Sequence, residues 1–256
     1  MSFSRNNHQT HEVAAGIVID ARRSAWLEAD RILVVADLHL GYAWAQRSAG
    51  NLIPLSRSVD ALDRLNALID AYSPVRTVLL GDIVHDAVDV EPITAELLRL
   101  RDDLGARTEI ILVAGNHDRR LQQMLDSKRI ALPLVRELQI GPHRLVHGDG
   151  VELRQAKAEL ATALGRGGFV FCGHEHPAIT LSDRVASYAK CPCFVEGDGL
   201  LMLPAFSEWA GGSNLRSGSF LSRYLEAARL RSITAIIAEK LLTLPASGTG
   251  SIRIDR

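Results

Sequence analysis

The sequence predicts an α/β fold in which two mixed sheets pack face to face with helices outside, a four-layer α/β/β/α sandwich. Three observations carry this. Short apolar, β-branched-rich runs at 31–36, 76–80 and 109–113 alternate with helical patterns, the rhythm of buried parallel strands. After residue 168 strand patterns dominate, which asks for a second sheet. Five runs, ending at 36, 80, 113, 146 and 172, stop within three residues of a carboxylate, amide or imidazole. In open α/β sheets, sites stand just past the carboxyl ends of strands.

The elements follow in order. Glu12 to Ile19, Ser24 to Glu28 and Arg31 to Ala36 read as strands. Leu55 to Tyr72 reads as a helix, with Val59, Leu62, Leu65 and Ile69 on one face and Pro74 closing it. Strand 76–80, helix 91–103 and strand 109–113 continue the βαβ series, and Arg119 to Leu125 starts a helix. Strand 144–146 precedes a helix near Glu152 to Leu164, followed by strands at 168–172, 178–181, 191–195 and 199–203. Glycines 211 and 212 read as a turn. Past Ser213 the pattern weakens, and Leu221 to Leu244 is open between strand, helix and contact with a second copy in a homo-oligomer.

With 256 residues and 47% hydrophobic content, one large domain is expected over 12–256. Residues 1–11 are polar, lack the apolar core of a signal peptide, and are expected to be a disordered N-terminal segment in which His8 and His11 have no role. No run approaches the ~18 to 20 apolar residues that cross a bilayer, so a soluble cytoplasmic protein with no membrane partner is expected. Three cysteines, Cys172, Cys191 and Cys193, argue against a disulfide framework and read as reduced thiols. The formal net charge of −1 gives no global pull toward a polyanion. Locally, Arg119 to Arg166 holds nine Lys and Arg against five acids, while Asp60 to Asp118 holds twelve acids against five bases. The basic stretch suits either a solvated helical face or a polyanion track.

At the strand ends stand Asp37, His39, Asp82, Asn116, His147, His174 and His176. This mixed nitrogen and oxygen set, without thiolates, suits Mn²⁺ first and Fe, Zn or Ni as well, and disfavours a closed structural zinc site. Seven donors exceed what one tetrahedral ion uses, so two divalent ions are expected. Asp82 is the natural bridge between ions roughly 3.5 to 4 Å apart, which would share a hydroxide and clamp a phosphoryl group.

The blocks Asp37-Leu-His39, Gly81-Asp82, Gly115-Asn-His-Asp118, His147 and Gly173-His-Glu-His176 resemble the calcineurin-like metallophosphoesterases, whose motifs read D-x-H, G-D, G-N-H-D, H and G-H-x-H. The resemblance implies that family's fold. It places Asp37, His39 and His176 on one metal, Asn116, His147 and His174 on the other, and Asp82 between them. It also implies His117 as the catalytic imidazole and Asp118 as the carboxylate that orients it. One departure is His85, where many members carry Asn or an acid. Asp37-Leu-His-Leu-Gly41, Arg47-Ser-Ala-Gly50, Ile53-Pro54, Pro192-Cys-Phe194 and Leu203-Pro-Ala-Phe206 further resemble the DNA-ligase-associated branch, implicated in the DNA damage response. That branch implies a DNA-acting nuclease functionally associated with a DNA ligase/helicase repair system.

Tyr42, Trp44 and Arg47 are expected on the loop leaving the first metal block, with Arg47 a candidate for substrate phosphate. His85 and His143 match no ligand position and read as ordinary histidines. The leading function is hydrolysis of DNA phosphodiesters by a metal-bridging hydroxide. Hydrolysis of a small nucleotide, cyclic nucleotide or pyrophosphate is the second reading. A scaffold without catalysis is the third, opposed by the intact ligand set and His117.

Overall fold

The computed structural model describes residues 9–52, 58–86, 91–182 and 188–246. Strands β1 (Thr10–Ala14), β2 (Ile17–Asp20), β3 (Ser24–Leu27) and β4 (Ile32–Ala36) are followed by helices α1 (Tyr42–Ser48) and α2 (Ser58–Tyr72). Then come β5 (Arg76–Leu80), α3 (Glu91–Arg99), β6 (Glu109–Val113), α4 (Leu121–Ser127), β7 (Leu134–Val135), β8 (Glu137–Ile140) and β9 (His143–Val146). The chain continues with α5 (Leu153–Gly165), β10 (Val170–Cys172), β11 (Pro177–Ser182), β12 (Tyr188–Gly197), β13 (Leu200–Met202) and β14 (Ser213–Asn214). It ends in α6 (Arg223–Ala227), β15 (Leu230–Ile237) and β16 (Lys240–Pro245).

One sheet runs β1-β2-β3-β4-β5-β6-β7, antiparallel through β4 and parallel from β4 onward. The other runs β14-β11-β12-β13-β10-β9-β8, with the β15-β16 hairpin added on β12. Side chains alternate across each strand, and the alternation sorts them into layers. Ile32, Val34, Ala36, Val78, Leu80, Ile111 and Val113 meet Leu145, Phe171, Phe194 and Leu201 between the sheets. Their neighbours Leu33, Val35, Leu79 and Leu112 face Leu62, Leu65, Leu68 and Ile69 of α2 and Leu97 of α3. On the far side, Val170, Cys172, Leu200 and Met202 pack against Ala156, Leu160 and Ala163 of α5. The α/β/β/α sandwich is therefore as expected, each fully buried Leu, Val or Ile contributing about 1.5–3 kcal/mol.

Several elements differ in detail. The expected strand 12–19 is a hairpin, because Gly16 at φ +72° permits the reversal at residues 15 and 16. Its first strand begins at Thr10, inside the segment expected to be disordered, and Gln9 accepts from Leu241 N. Helix 91–103 becomes α3 continued by a π-helical turn over Leu100–Leu104, closed by Gly105 N donating to Leu100 O. Residues 42–48 are helix α1 rather than loop. Gly211 and Gly212 form no hydrogen-bonded turn; Gly212, at φ +67°, leads directly into β14. Leu221 to Leu244 holds α6 and most of a hairpin, whose Ala238 and Glu239 at φ +45° and +64° make the two-residue reversal. His8, Ile53-Pro54 and the expected first turn of α2 at 55–57 lie outside the described residues, as do the side chain of Val59 and the start of the polar N-terminal segment. The three cysteines are free and buried. Among the described residues no helix is long and apolar enough to cross a membrane.

Candidate metal centre

The carboxyl ends of β4, β5 and β6 in one sheet and of β9 and β10 in the other open on the same rim. Backbone hydrogen bonds extend the β4–β5 pairing past the strand ends: His39 N donates to Asp82 O at 2.8 Å and Leu40 N to Ile83 O at 2.8 Å. The second sheet is tied in by His174 N, which donates to both oxygens of Asp37 at 3.1 and 3.2 Å, while Gly173 N, donating to His147 O at 2.9 Å, extends the β9–β10 pairing past the strand ends. Five of the seven expected ligands, Asp37, His39, Asp82, His174 and His176, have left-handed backbones with φ between +46° and +67°. Non-glycine residues pay about 1–3 kcal/mol each for sparsely populated conformations and keep them where the surrounding structure imposes them, characteristically at functional sites. The glycines beside them admit close approach. A Cβ on Gly81 would overlap the His147 ring, and one on Gly115 would overlap Asp82.

The seven side chains form two groups that meet at Asp82. In the first, donor atoms of Asp37, His39, Asp82 and His176 all lie within 4.8 Å of one another. His39 Nε2 is 3.2 Å from His176 Nε2 and 3.7 Å from Asp82 Oδ2, and His176 Nε2 is 3.6 Å from Asp37 Oδ1. In the second, His147 Nε2 is 3.1 Å from Asn116 Oδ1, 3.2 Å from His174 Nδ1 and 3.4 Å from Asp82 Oδ1. Asp82 thus turns one oxygen toward each group. Two nitrogens at about 3.2 Å with a carboxylate beside them is a convergence that one cation relieves for both rings.

Electrostatics agree with this geometry. Burial, then the neighbouring histidines, push His39 down to about 3 against the pull of Asp37, so its ring is neutral and able to donate a lone pair. His174 is lowered too, by burial and by His147. Burial opposes charge on His176 as well, but the Asp37 carboxylate outweighs it and raises the imidazole, the same attraction that a cation would receive. His147 Nδ1 lies 3.4 Å from Leu80 O, a contact only an N–H satisfies, which leaves the Nε2 lone pair directed toward Asn116 and His174.

Two of the expected site residues have other surroundings. Among the described residues, Asp118 makes no hydrogen bond to the His117 ring. Its buried carboxylate accepts from Gly115 N at 2.8 Å and from Ile83 N and Val84 N at 3.2 Å, clamping the 115–118 loop to the 82–84 loop. Burial raises it to about 6, with those three donors opposing. The orienting group is the His85 carbonyl, 2.7 Å from His117 Nδ1. Arg47 is exposed near the end of α1, and the groove beside His117 is lined by Ala45, Gln46 and Ala49 of that helix without it.

Other residues enter the site that sequence reasoning missed. The His85 ring stacks on His117 (centroids 5.1 Å, planes 21° apart) and sets its Nδ1 3.3 Å from His39 Nδ1. Its position three residues past Asp82 was the available signal. Tyr42 backs it at 4.4 Å and stacks on Trp209 at 5.6 Å, whereas Trp44 is half-buried on α1. Glu175, buried between His174 and His176, accepts from Leu221 N at 2.7 Å and Ser222 N at 2.9 Å, which ties the C-terminal segment beneath the site. No local pattern announces that contact. His143 is structural, accepting from Phe169 N at 3.2 Å.

The family model described as calcineurin-like phosphoesterase matches residues 30–178, more than half of the chain. Among solved structures, that of Pseudomonas putida nuclease MPE is similar, with a TM-score of 0.67 and 23% identity over 93% of this chain and 100% of the other. At that identity the likeness speaks for the fold. A search of curated proteins gave no significant match.

Proposed function

The chain belongs to the calcineurin-like phosphoesterase family, and from that premise we propose that it hydrolyses phosphodiester bonds with two divalent ions, and that DNA is its substrate. The observation that carries the dinuclear reading is the division of Asp82, Oδ2 toward His39 and Oδ1 toward His147. Asp37, His39 and His176 would hold one ion, and Asn116, His147 and His174 the other. The donor set fits Mn²⁺ or a similar ion of intermediate hardness. When bound, such ions supply a nucleophile ionised at neutral pH and neutralise phosphoryl charge.

The chain's own contribution is position and proton control. His117 Nδ1–H donates a hydrogen bond to the His85 carbonyl, so Nε2 faces the site, 3.9 Å from Asp82 Oδ2. As imidazolium it can protonate a departing oxygen there. His117 N also donates to Asp82 Oδ1 at 3.0 Å, so the acid and the bridging carboxylate are placed by one backbone. Asp118 acts at one remove, as the clamp on that loop. DNA as substrate, and association with a ligase/helicase repair system, are supported by the ligase-branch motifs; the fold shared with a nuclease supports a nucleic-acid substrate.

Metal analysis after loading with Mn²⁺ should give about two ions per chain, and Asp82→Ala should lose both together. EDTA should abolish hydrolysis of bis(p-nitrophenyl) phosphate and of oligonucleotides. One ion at saturation would remove the dinuclear reading, and turnover of monoesters alone, with single-stranded, nicked and duplex DNA intact, would remove the nuclease reading.

A further inference from the structure

We infer that the open groove beside His117 is the subsite for the leaving-group side of a DNA strand, with Arg119 and Arg120 binding its phosphate. The inference rests on the DNA phosphodiesterase reading above and adds polarity to it. The groove, about 540 Å³, is lined by His117 and Asn116 at its inner end, by Arg119 and Arg120, and by Ala45, Gln46 and Ala49 of α1 opposite.

Several arginines of this surface are already engaged by acids. Arg76 pairs with Glu109, Arg99 with Asp63, Arg107 with Asp70, Arg144 with Glu137 and Arg231 with Asp198. Arg119 and Arg120 are exposed and make no ion pair or side-chain hydrogen bond among the described residues. Two arginines therefore line the groove with one acidic residue, Asp86. A guanidinium fork matches phosphate oxygens and holds its charge at any working pH. The facing wall is uncharged, Gln46 having its amide oxygen engaged by Asn51 at 2.8 Å, and its two alanines leave room for a sugar and base.

Polarity comes from His117. Its ring borders both the groove and the approach to Asp82, so an oxygen protonated by Nε2 departs toward the arginines. A small diester such as bis(p-nitrophenyl) phosphate carries no second phosphate to reach them. The head of the basic stretch that begins at Arg119 thereby gains a role.

The test compares the Mn²⁺-loaded wild type with Arg119→Ala/Arg120→Ala on three substrates. These are bis(p-nitrophenyl) phosphate, and two dinucleotide diesters carrying one extra phosphate on either the leaving or the retained nucleotide. The double variant should lose about tenfold or more in kcat/KM on the leaving-side substrate and less than about threefold on the other two. For single-stranded DNA the slope of log K against log salt should fall by about 0.7, for the one phosphate no longer neutralised. Equal losses on all three substrates, a loss confined to the retained-side substrate, or no loss would each overturn the inference while leaving the diesterase reading standing. Failure of the wild type to cleave any of them would overturn that reading and the subsite with it.

Discussion

His117 Nδ1 lies 2.7 Å from the carbonyl oxygen of His85, and the two rings stack with centroids 5.1 Å apart. The backbone of one histidine thus sets the tautomer of the other, while the same residue's ring reaches His39. Three imidazoles from three motifs are held in one arrangement before any substrate arrives.

His117→Ala should keep both metals and the fold while losing about 100-fold to 10,000-fold in rate, the usual worth of a positioned acid or base. The deficit should be smaller for a nitrophenolate leaving group, which departs with little protonation. Metal analysis beside rates on both substrate types checks this: lost metal would make His117 a ligand, and unchanged rates a bystander.

Asp118→Asn should act on stability first, because an amide turns a donor toward backbone N–H groups that now point at carboxylate oxygens. An unsatisfied buried donor costs about 1–3 kcal/mol, to be read from denaturant unfolding of the metal-free protein. The contrast between good and poor leaving groups should survive in the residual activity. Unchanged stability with that contrast abolished would return Asp118 to the orienting role.

Gly81→Ala should abolish binding at the His147 side. The added methyl falls on the His147 ring, and φ +68° disfavours a side chain at that position. Isothermal titration with Mn²⁺ should show at least one site lost, and two intact sites of wild-type affinity would contradict the close packing of Gly81 on His147.

Asp20 gives a pH signature far from the metals. Burial would raise this carboxyl, but Arg22, at 2.6 Å and 3.0 Å, and the Tyr72 hydroxyl, at 2.8 Å, outweigh it and hold it below the usual range. Because the folded value lies below the unfolded value of about 3.9, the stabilisation is complete above about pH 5 and fades as pH falls through the folded value. Asp20→Asn should therefore be less stable than wild type at pH 7 by about 1–3 kcal/mol, with the gap closing in acid. A gap that stays constant from neutral pH to below the folded value would show that ionisation has no part in it.

What the sequence by itself determined is the central strands β4, β5, β6, β9 and β10 and the chemistry at their ends. Runs such as Ile32–Ala36 and Val78–Leu80 are buried on both faces, and the ligand motifs are contiguous in the chain, so local order suffices to read them. Tertiary structure alone decided which groups act on which. That the His85 carbonyl, and not Asp118, meets His117 depends on how two loops from different strands close against each other. The anchoring of Glu175 by Leu221 N and Ser222 N, and the β15–β16 hairpin beside β12, join segments dozens of residues apart. Periodicity reports which face of an element is apolar, whereas partner and distance come from packing the two sheets, which no local window of sequence contains.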